Sequence, residues 1–331
     1  MHPNLPLIDL HRHLDGSVRL ETVLDLGRKH NLLLPAWDVD GLRPHVQVTD
    51  PQPGVMAFLE KYKWLVAILV DYDACRRIAY ENVEDLLREG IDYAELRFSP
   101  WFMAEEHGLN PSGVAEAVVD GVEAGVRDFG VPVQIIGILS RTYGAEVAYQ
   151  ELAALLAFKD HLVGVDLAGD EANFPAHLFS GHFKQVRDAG LHVTAHAGES
   201  DGPDSIRQAV ELLGAERIGH AVHLFEDPTV VDLLIERRIG IEANLTSNVQ
   251  TSTVASYAAH PLRAMLEAGL LATINTDDPG ISAITLKHEY EIAAPAAGLT
   301  PRQIAQAQAN ALETAFLHPL DQQTLLAAKQ D

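Results

Sequence analysis

Hydrophobic and polar positions follow two rhythms along this chain. Short runs rich in β-branched and apolar residues predict strands at 6–10, 93–98, 132–139, 162–167, 192–195, 217–220, 240–243 and 272–275. Between and around them, a helical period fills 20–30, 74–89, 113–129, 150–159, 179–189, 205–213, 230–237 and 261–268. Thr22 in an acidic first turn, Pro111-Ser112 and Pro203-Asp204-Ser205 mark helix starts. Gly90, Gly130, Gly190, Gly214 and Gly269 fall near helix ends, where a left-handed residue is needed. Alternating strands and helices mean a parallel sheet, and eight repeats predict a closed (β/α)8 TIM barrel. A doubly wound open sheet is the rival. No GxGxxG or GxxxxGKS run supports a nucleotide-binding version of it.

The first two strands are separated by roughly 80 residues, too many for one connection. That gap is expected to hold extra helices, including the apolar stretch 58–70. An insertion after a barrel strand sits over the catalytic end. Phe58, Leu59, Tyr62, Trp64 and Leu65 there read equally as an apolar lid or an ordinary core helix. The region after Thr285 has helical composition and is expected to pack outside the barrel. No linker or low-complexity tract divides the chain, so residues 1–331 read as one domain.

Of the 331 residues, 47% are hydrophobic and 21% charged, the balance of a soluble globular protein. Acidic residues number 47 and basic residues 24, giving a formal charge of −23. Such a chain does not grip a nucleic-acid backbone or an anionic membrane over a broad surface. Cys75 is the single cysteine, which excludes an internal disulfide and a Cys-rich zinc site. It falls in a helical pattern, as a small buried apolar residue does. The N-terminus carries no apolar signal core, and the longest clean apolar run, 64–70, is too short to span a membrane. A reducing, cytoplasmic setting is expected.

Polar groups gather where predicted strands end. His11 and His13 lie two apart after the first strand, so their rings share a face and Arg12 turns the other way. His196 ends the fifth strand, with Glu199 just beyond. His220 closes the sixth. Asp277 and Asp278 follow the eighth, where two adjacent carboxylates repel unless a cation stabilises one and perturbs the other. Taken singly, these are ordinary surface or structural residues. Strand ends 1, 5 and 8 converge in a barrel at its catalytic mouth. Three imidazoles and one carboxylate suit a single zinc ion with a position left for water. Glu199 is placed as an acid or base, His220 as an orienting group and Asp278 as a second carboxylate. Gly169, after the fourth strand, lets backbone approach a ligand closely.

These motifs, together with Glu95-Leu96-Arg97-Phe98-Ser99-Pro100, Asp166-Leu167-Ala168-Gly169-Asp170-Glu171 and Thr246-Ser247-Asn248, resemble the adenosine deaminase family of the metal-dependent amidohydrolase superfamily. The resemblance runs in order from residue 11 to about 280. It implies zinc on His11, His13, His196 and Asp277. It implies that Glu199 protonates purine N1, that His220 orients or deprotonates the attacking water, and that Asp278 meets N7 and the attacking oxygen. It places the Gly169 backbone at N3, Asp15 at the ribose hydroxyls, and His13 also beside the substrate. The implied reaction is hydrolytic deamination of adenosine and 2′-deoxyadenosine in purine salvage. Adenine or another adenine derivative is the alternative substrate. Asp15 favours the nucleosides, because a carboxylate accepts a hydroxyl proton and repels a phosphate. Two departures stand out. Gly219-His220-Ala221 replaces a common Gly-His-Gly, which is tolerable unless the backbone there needs a positive φ. Asn244-Leu245 replaces a frequent Cys-Pro before Thr246.

Overall fold

The computed structural model describes residues 1–48 and 50–329. Eight strands form the sheet: β1 (Ile8–His13), β2 (Tyr93–Phe98), β3 (Val133–Ser140), β4 (Gly164–Ala168), β5 (His192–Ala197), β6 (Arg217–His220), β7 (Gly240–Ala243) and β8 (Leu271–Ile274). All neighbours are parallel and follow chain order. The seam between β8 and β1 closes just past the end of β8. His13 N donates to Asp277 O at 2.7 Å, and Asp277 N donates to His11 O at 2.8 Å. Lower in the seam, side chains replace the ladder. Leu10 N donates to Asn275 Oδ1 at 2.9 Å, and Thr276 Oγ1 donates to Asp9 Oδ2 at 2.6 Å. The result is a (β/α)8 barrel, with no helix among the described residues long and apolar enough to cross a membrane.

Every predicted strand and helix has a counterpart. The crossover helices are Tyr72–Glu89, Pro111–Phe129, Gly144–Leu156, Ser180–Asp188, Pro203–Gln208, Pro228–Glu236 and Leu262–Glu267. Two C-terminal strand ends move by two residues or more, and the others by at most one. β1 runs on to His13 and β5 to Ala197, so the histidines lie inside the strands rather than after them. Their polarity interrupts the apolar run, although their rings face a shared interior. The β1–β2 register slips between Asp9 and Arg12, which accommodates one extra residue in β1 beside His11. Arg12 turns outward as expected and meets Glu89 at 2.8 Å.

The C-terminal extension packs outside the barrel, as its composition predicts. Its helix Pro301–Thr314 lies over the β8–β1 seam. Asn310 Nδ2 donates to Ala272 O at 2.9 Å, and Gln308 Nε2 donates to Leu5 O at 2.7 Å. The insertion after β1 carries the helices Leu20–Lys29 and Val39–Val46, and its apolar stretch is broken into short turns, Val55–Leu59, Glu60–Tyr62 and Lys63–Ala67. Phe58, Leu59 and Tyr62 line a cavity at the C-terminal mouth of the barrel, while Leu65 enters the core. This segment is therefore neither a single core helix nor separate from the mouth. Cys75 is buried, as expected.

Candidate active site at the barrel mouth

Four side chains from β1, β5 and the seam point at one spot. His11 Nε2 lies 3.1 Å from His196 Nε2 and 3.2 Å from Asp277 Oδ1. His13 Nε2 lies 3.3 Å from His196 Nε2 and 3.4 Å from the same Asp277 oxygen. Separations of this size match the edges of a tetrahedron with ligands about 2 Å from its centre. His220 borders the group, with Nε2 3.8 Å from Asp277 Oδ2. Together with His11, His196 and Asp277 it forms a set of possible ligand atoms within 4.8 Å of one another.

The outer nitrogens show why this cluster suits a cation. His11 Nδ1 meets Glu242 Oε2 at 2.7 Å, and His196 Nδ1 meets Asp166 Oδ2 at 3.0 Å. An ionised carboxylate only accepts, so each Nδ1 carries the proton. The two Nε2 lone pairs therefore face one another across 3.1 Å. A metal ion between them turns that repulsion into ligation. Burial holds His196 down to about 3, in the neutral form a metal requires. The donor set fits a divalent metal.

A buried ion network holds those carboxylates. Arg97 Nη1 meets Asp166 Oδ2, and Arg97 Nη2 meets Glu242 Oε2, each at 2.8 Å. Arg217 Nε reaches Glu242 Oε1 at 2.6 Å and also pairs with Glu95. Burial opposes the Glu242 charge, but Arg97 and Arg217 outweigh it and keep this carboxyl well below its usual range. Glu242 is thus an anionic hub under His11.

Glu199 lies just beyond β5, on a loop held by a single carboxylate. Glu171 accepts from the main-chain N–H groups of Gly198, Glu199 and Ser200 at 2.6, 3.1 and 2.8 Å. Burial, Asp277 and Glu171 all push the Glu199 carboxyl well above its ordinary value. Asp278 is pushed up to about 7 by burial and by Asp277 beside it, and accepts a hydrogen bond from Tyr62. Gly16 makes room for this carboxylate, since a Cβ there would sit 1.8 Å from Asp278 Oδ1.

The remaining predicted residues line the same cavity. Asp15 is buried, and its Oδ1 has no hydrogen-bond partner within the protein. Gly169 has φ +108° beside Thr142, a conformation and space that exclude a side chain. His220, Ala221 and Asp277 have φ of 66°, 52° and 64°. Position 221 therefore requires a positive φ, and Ala221 holds it at a cost of about 1 kcal/mol. Strain at a strand end bearing polar groups is typical of a functional site.

The structure thus brings together His11, His13, His196, Asp277, Glu199, His220, Asp278, Asp15 and Gly169. Sequence reasoning missed the supporting roles of Glu242, Glu171, Tyr62, Arg97, Asp166 and Arg217. One signal was available. Glu95, Arg97, Asp166, Arg217 and Glu242 are charged residues inside strands of an all-parallel sheet, where apolar residues dominate.

The adenosine deaminase family model matches residues 6–329. An adenosine deaminase of Edwardsiella ictaluri is 58% identical over 325 residues, covering 98% of this chain and 98% of that protein. Among solved structures, an adenine deaminase from Arthrobacter aurescens is 26% identical with a TM-score of 0.90, covering 98% of each chain. An amidohydrolase from Burkholderia ambifaria with bound zinc is also 26% identical, with a TM-score of 0.88, covering 99% of this chain and 90% of that one. The chain belongs to the adenosine deaminase family and is a hydrolytic deaminase.

Proposed function

We propose that this chain deaminates adenosine and 2′-deoxyadenosine to inosine and 2′-deoxyinosine, releasing ammonia, with one zinc ion per chain and a role in cytoplasmic purine salvage. The observation that carries the reading is the juxtaposition of three facing imidazoles and Asp277 with the buried Glu199 at the barrel mouth. His11, His13, His196 and Asp277 are the zinc ligands in this reading. A bound zinc ion supplies a Lewis acid that makes water nucleophilic near neutral pH.

The chain's own residues do the rest. Glu199 donates its proton to purine N1, drawing electron density from C6. His220 orients the attacking water through its Nε2–H, and the Asp278 carboxylate takes up the water's proton. The oxygen adds to C6 on the side held by Asp278, which also meets N7. The C6–N bond then breaks as the amino nitrogen takes the water proton held by Asp278, ammonia leaves, and C6 keeps the oxygen, whose remaining proton restores Glu199. The Gly169 backbone contacts N3, and His13 borders the bound ring. Asp15 Oδ1, which has no hydrogen-bond partner and lies 3.8 Å from His13 Nδ1, accepts from a ribose hydroxyl, so nucleosides are preferred over free adenine. The same charge opposes a 5′-phosphate.

Glu199→Gln tests the assignment of the acid. The amide cannot protonate N1, so turnover of adenosine falls about 10²–10⁴-fold while zinc content stays at one per chain. Near-normal turnover in that variant would contradict the role.

A further inference from the structure

We infer that His260 and Asn248 form a positioning relay that holds His220 in the tautomer protonated on Nε2, so that its N–H is presented toward Asp277 and the reacting centre. This inference rests on the reading of His220 as the group that handles the attacking water.

The direction of every bond in the relay follows from its first donor. Leu262, the first residue of the helix Leu262–Glu267, has a main-chain N–H that can only donate. It lies 3.1 Å from His260 Nδ1, so Nδ1 accepts and, in the neutral ring, the proton sits on Nε2. His260 Nε2 is 3.1 Å from Asn248 Oδ1 and donates to it. That fixes which way the amide points. Asn248 Nδ2 then faces His220 Nδ1 at 2.9 Å and donates. An Nδ1 that accepts leaves the neutral His220 ring with its proton on Nε2.

All three side chains are buried: 4% of His260, 0% of Asn248 and 1% of His220 is exposed. Water is therefore poorly placed to rewrite the bonding. Burial also pushes the His260 ring down to about 3, so it stays neutral. Two other neighbours do not compete for Nδ1. Glu199 Oε1 is 3.6 Å away, beyond hydrogen-bond reach. Asn244 Nδ2 lies 3.4 Å from Nδ1 and 3.5 Å from Nε2, a contact with the ring edge that prefers neither nitrogen. The tautomer matters because Nε2 is the ring nitrogen near Asp277 Oδ2, at 3.8 Å. With the proton on Nε2, this face donates to an oxygen held there. With the proton on Nδ1, it offers a lone pair toward a carboxylate.

His260 is neither in the cavity lining nor in contact with the proposed ligands, so its effect passes through Asn248. The test uses the zinc-loaded full chain labelled with ¹⁵N at histidine. Proton–nitrogen correlation spectra read the His220 tautomer directly, with the His220 signals identified by their loss in His220→Gln. The parent is expected to show a protonated Nε2 and an unprotonated Nδ1. Asn248→Asp replaces the donor by an acceptor, so the His220 proton moves to Nδ1. His260→Leu frees the amide to rotate, so the His220 tautomer becomes mixed. kcat for adenosine falls in both variants, up to about 10⁴-fold, the scale of a wrong imidazole tautomer in other enzymes. KM changes far less. His260→Gln keeps a donor toward Asn248 and restores the parent tautomer with part of kcat. A parent His220 protonated on Nδ1, or variants with an unchanged tautomer, overturn the inference. Because the tautomer is read by spectroscopy, it can be established even if adenosine proves not to be the substrate.

Discussion

Glu242 shows how much a single residue supports this site. Its carboxylate fixes the His11 tautomer at 2.7 Å and neutralises Arg97 and Arg217 in the barrel interior. Glu242→Gln removes the charge that orients and strengthens the imidazole ligand. Metal affinity should fall about 10–100-fold, measured by competition with a chelator. An unchanged affinity would show that His11 is not held through this carboxylate. Asp15 is a residue-scale question of specificity. Asp15→Ala should raise KM for adenosine more than it alters activity on free adenine, because only the nucleoside has a hydroxyl to lose. Equal effects on both substrates would remove Asp15 from the ribose region. The polar residues that meet at the mouth were legible in the sequence, because strand ends bearing histidine and aspartate are conspicuous against an apolar pattern. Glu242 was not. A lone acid in a short apolar strand gives no sign of the arginines it will face, since Arg97 and Arg217 come from other strands.

At the scale of elements, the site is assembled by short structures packed after the strands. The helix Leu245–Gln250 brings Asn248 under His220, and the wide turn Glu289–Ala293 grips that helix at its start. Glu289 accepts a hydrogen bond from the Thr246 hydroxyl and lies fully buried. Burial pushes its carboxyl up to about 8 from an unfolded value of 4.5. A proton is thus retained on folding between those limits, and the stability contributed by the protonated form is lost as pH rises through 8. Glu289→Gln keeps the neutral shape and removes this term. The parent should lose stability relative to the variant between pH 4.5 and 8, by on the order of a few kcal/mol in urea unfolding. Parallel pH profiles would contradict the account. Eight strands and their helices were readable from periodicity because each buries a long apolar face. The segment around Phe58–Tyr62 was ambiguous because an apolar residue on a cavity wall looks like one in a core. Its broken turns come from packing over the mouth, with Tyr62 reaching Asp278.

The whole molecule closes where its chemistry sits. The seam between first and last strands is joined through the main chain of His11, His13 and Asp277, three of the four proposed metal ligands. Barrel closure and ligand placement are therefore the same event. The helix Pro301–Thr314 seals the seam from outside, which explains why a C-terminal stretch with no polar chemistry of its own belongs to the architecture. The strong negative charge plays no part in this assembly and excludes only partners that need a basic surface.

The central claim is hydrolytic deamination of nucleosides by a metal-dependent centre. It is tested most directly by ammonia release from the purified protein offered adenosine, 2′-deoxyadenosine, adenine and AMP, with and without a zinc chelator. Both nucleosides are expected to turn over, with activity abolished by the chelator and restored by zinc, and with little release from adenine or AMP. Turnover of adenine alone would contradict the substrate assignment built on Asp15, and turnover of the nucleosides untouched by chelation would contradict the metal centre itself.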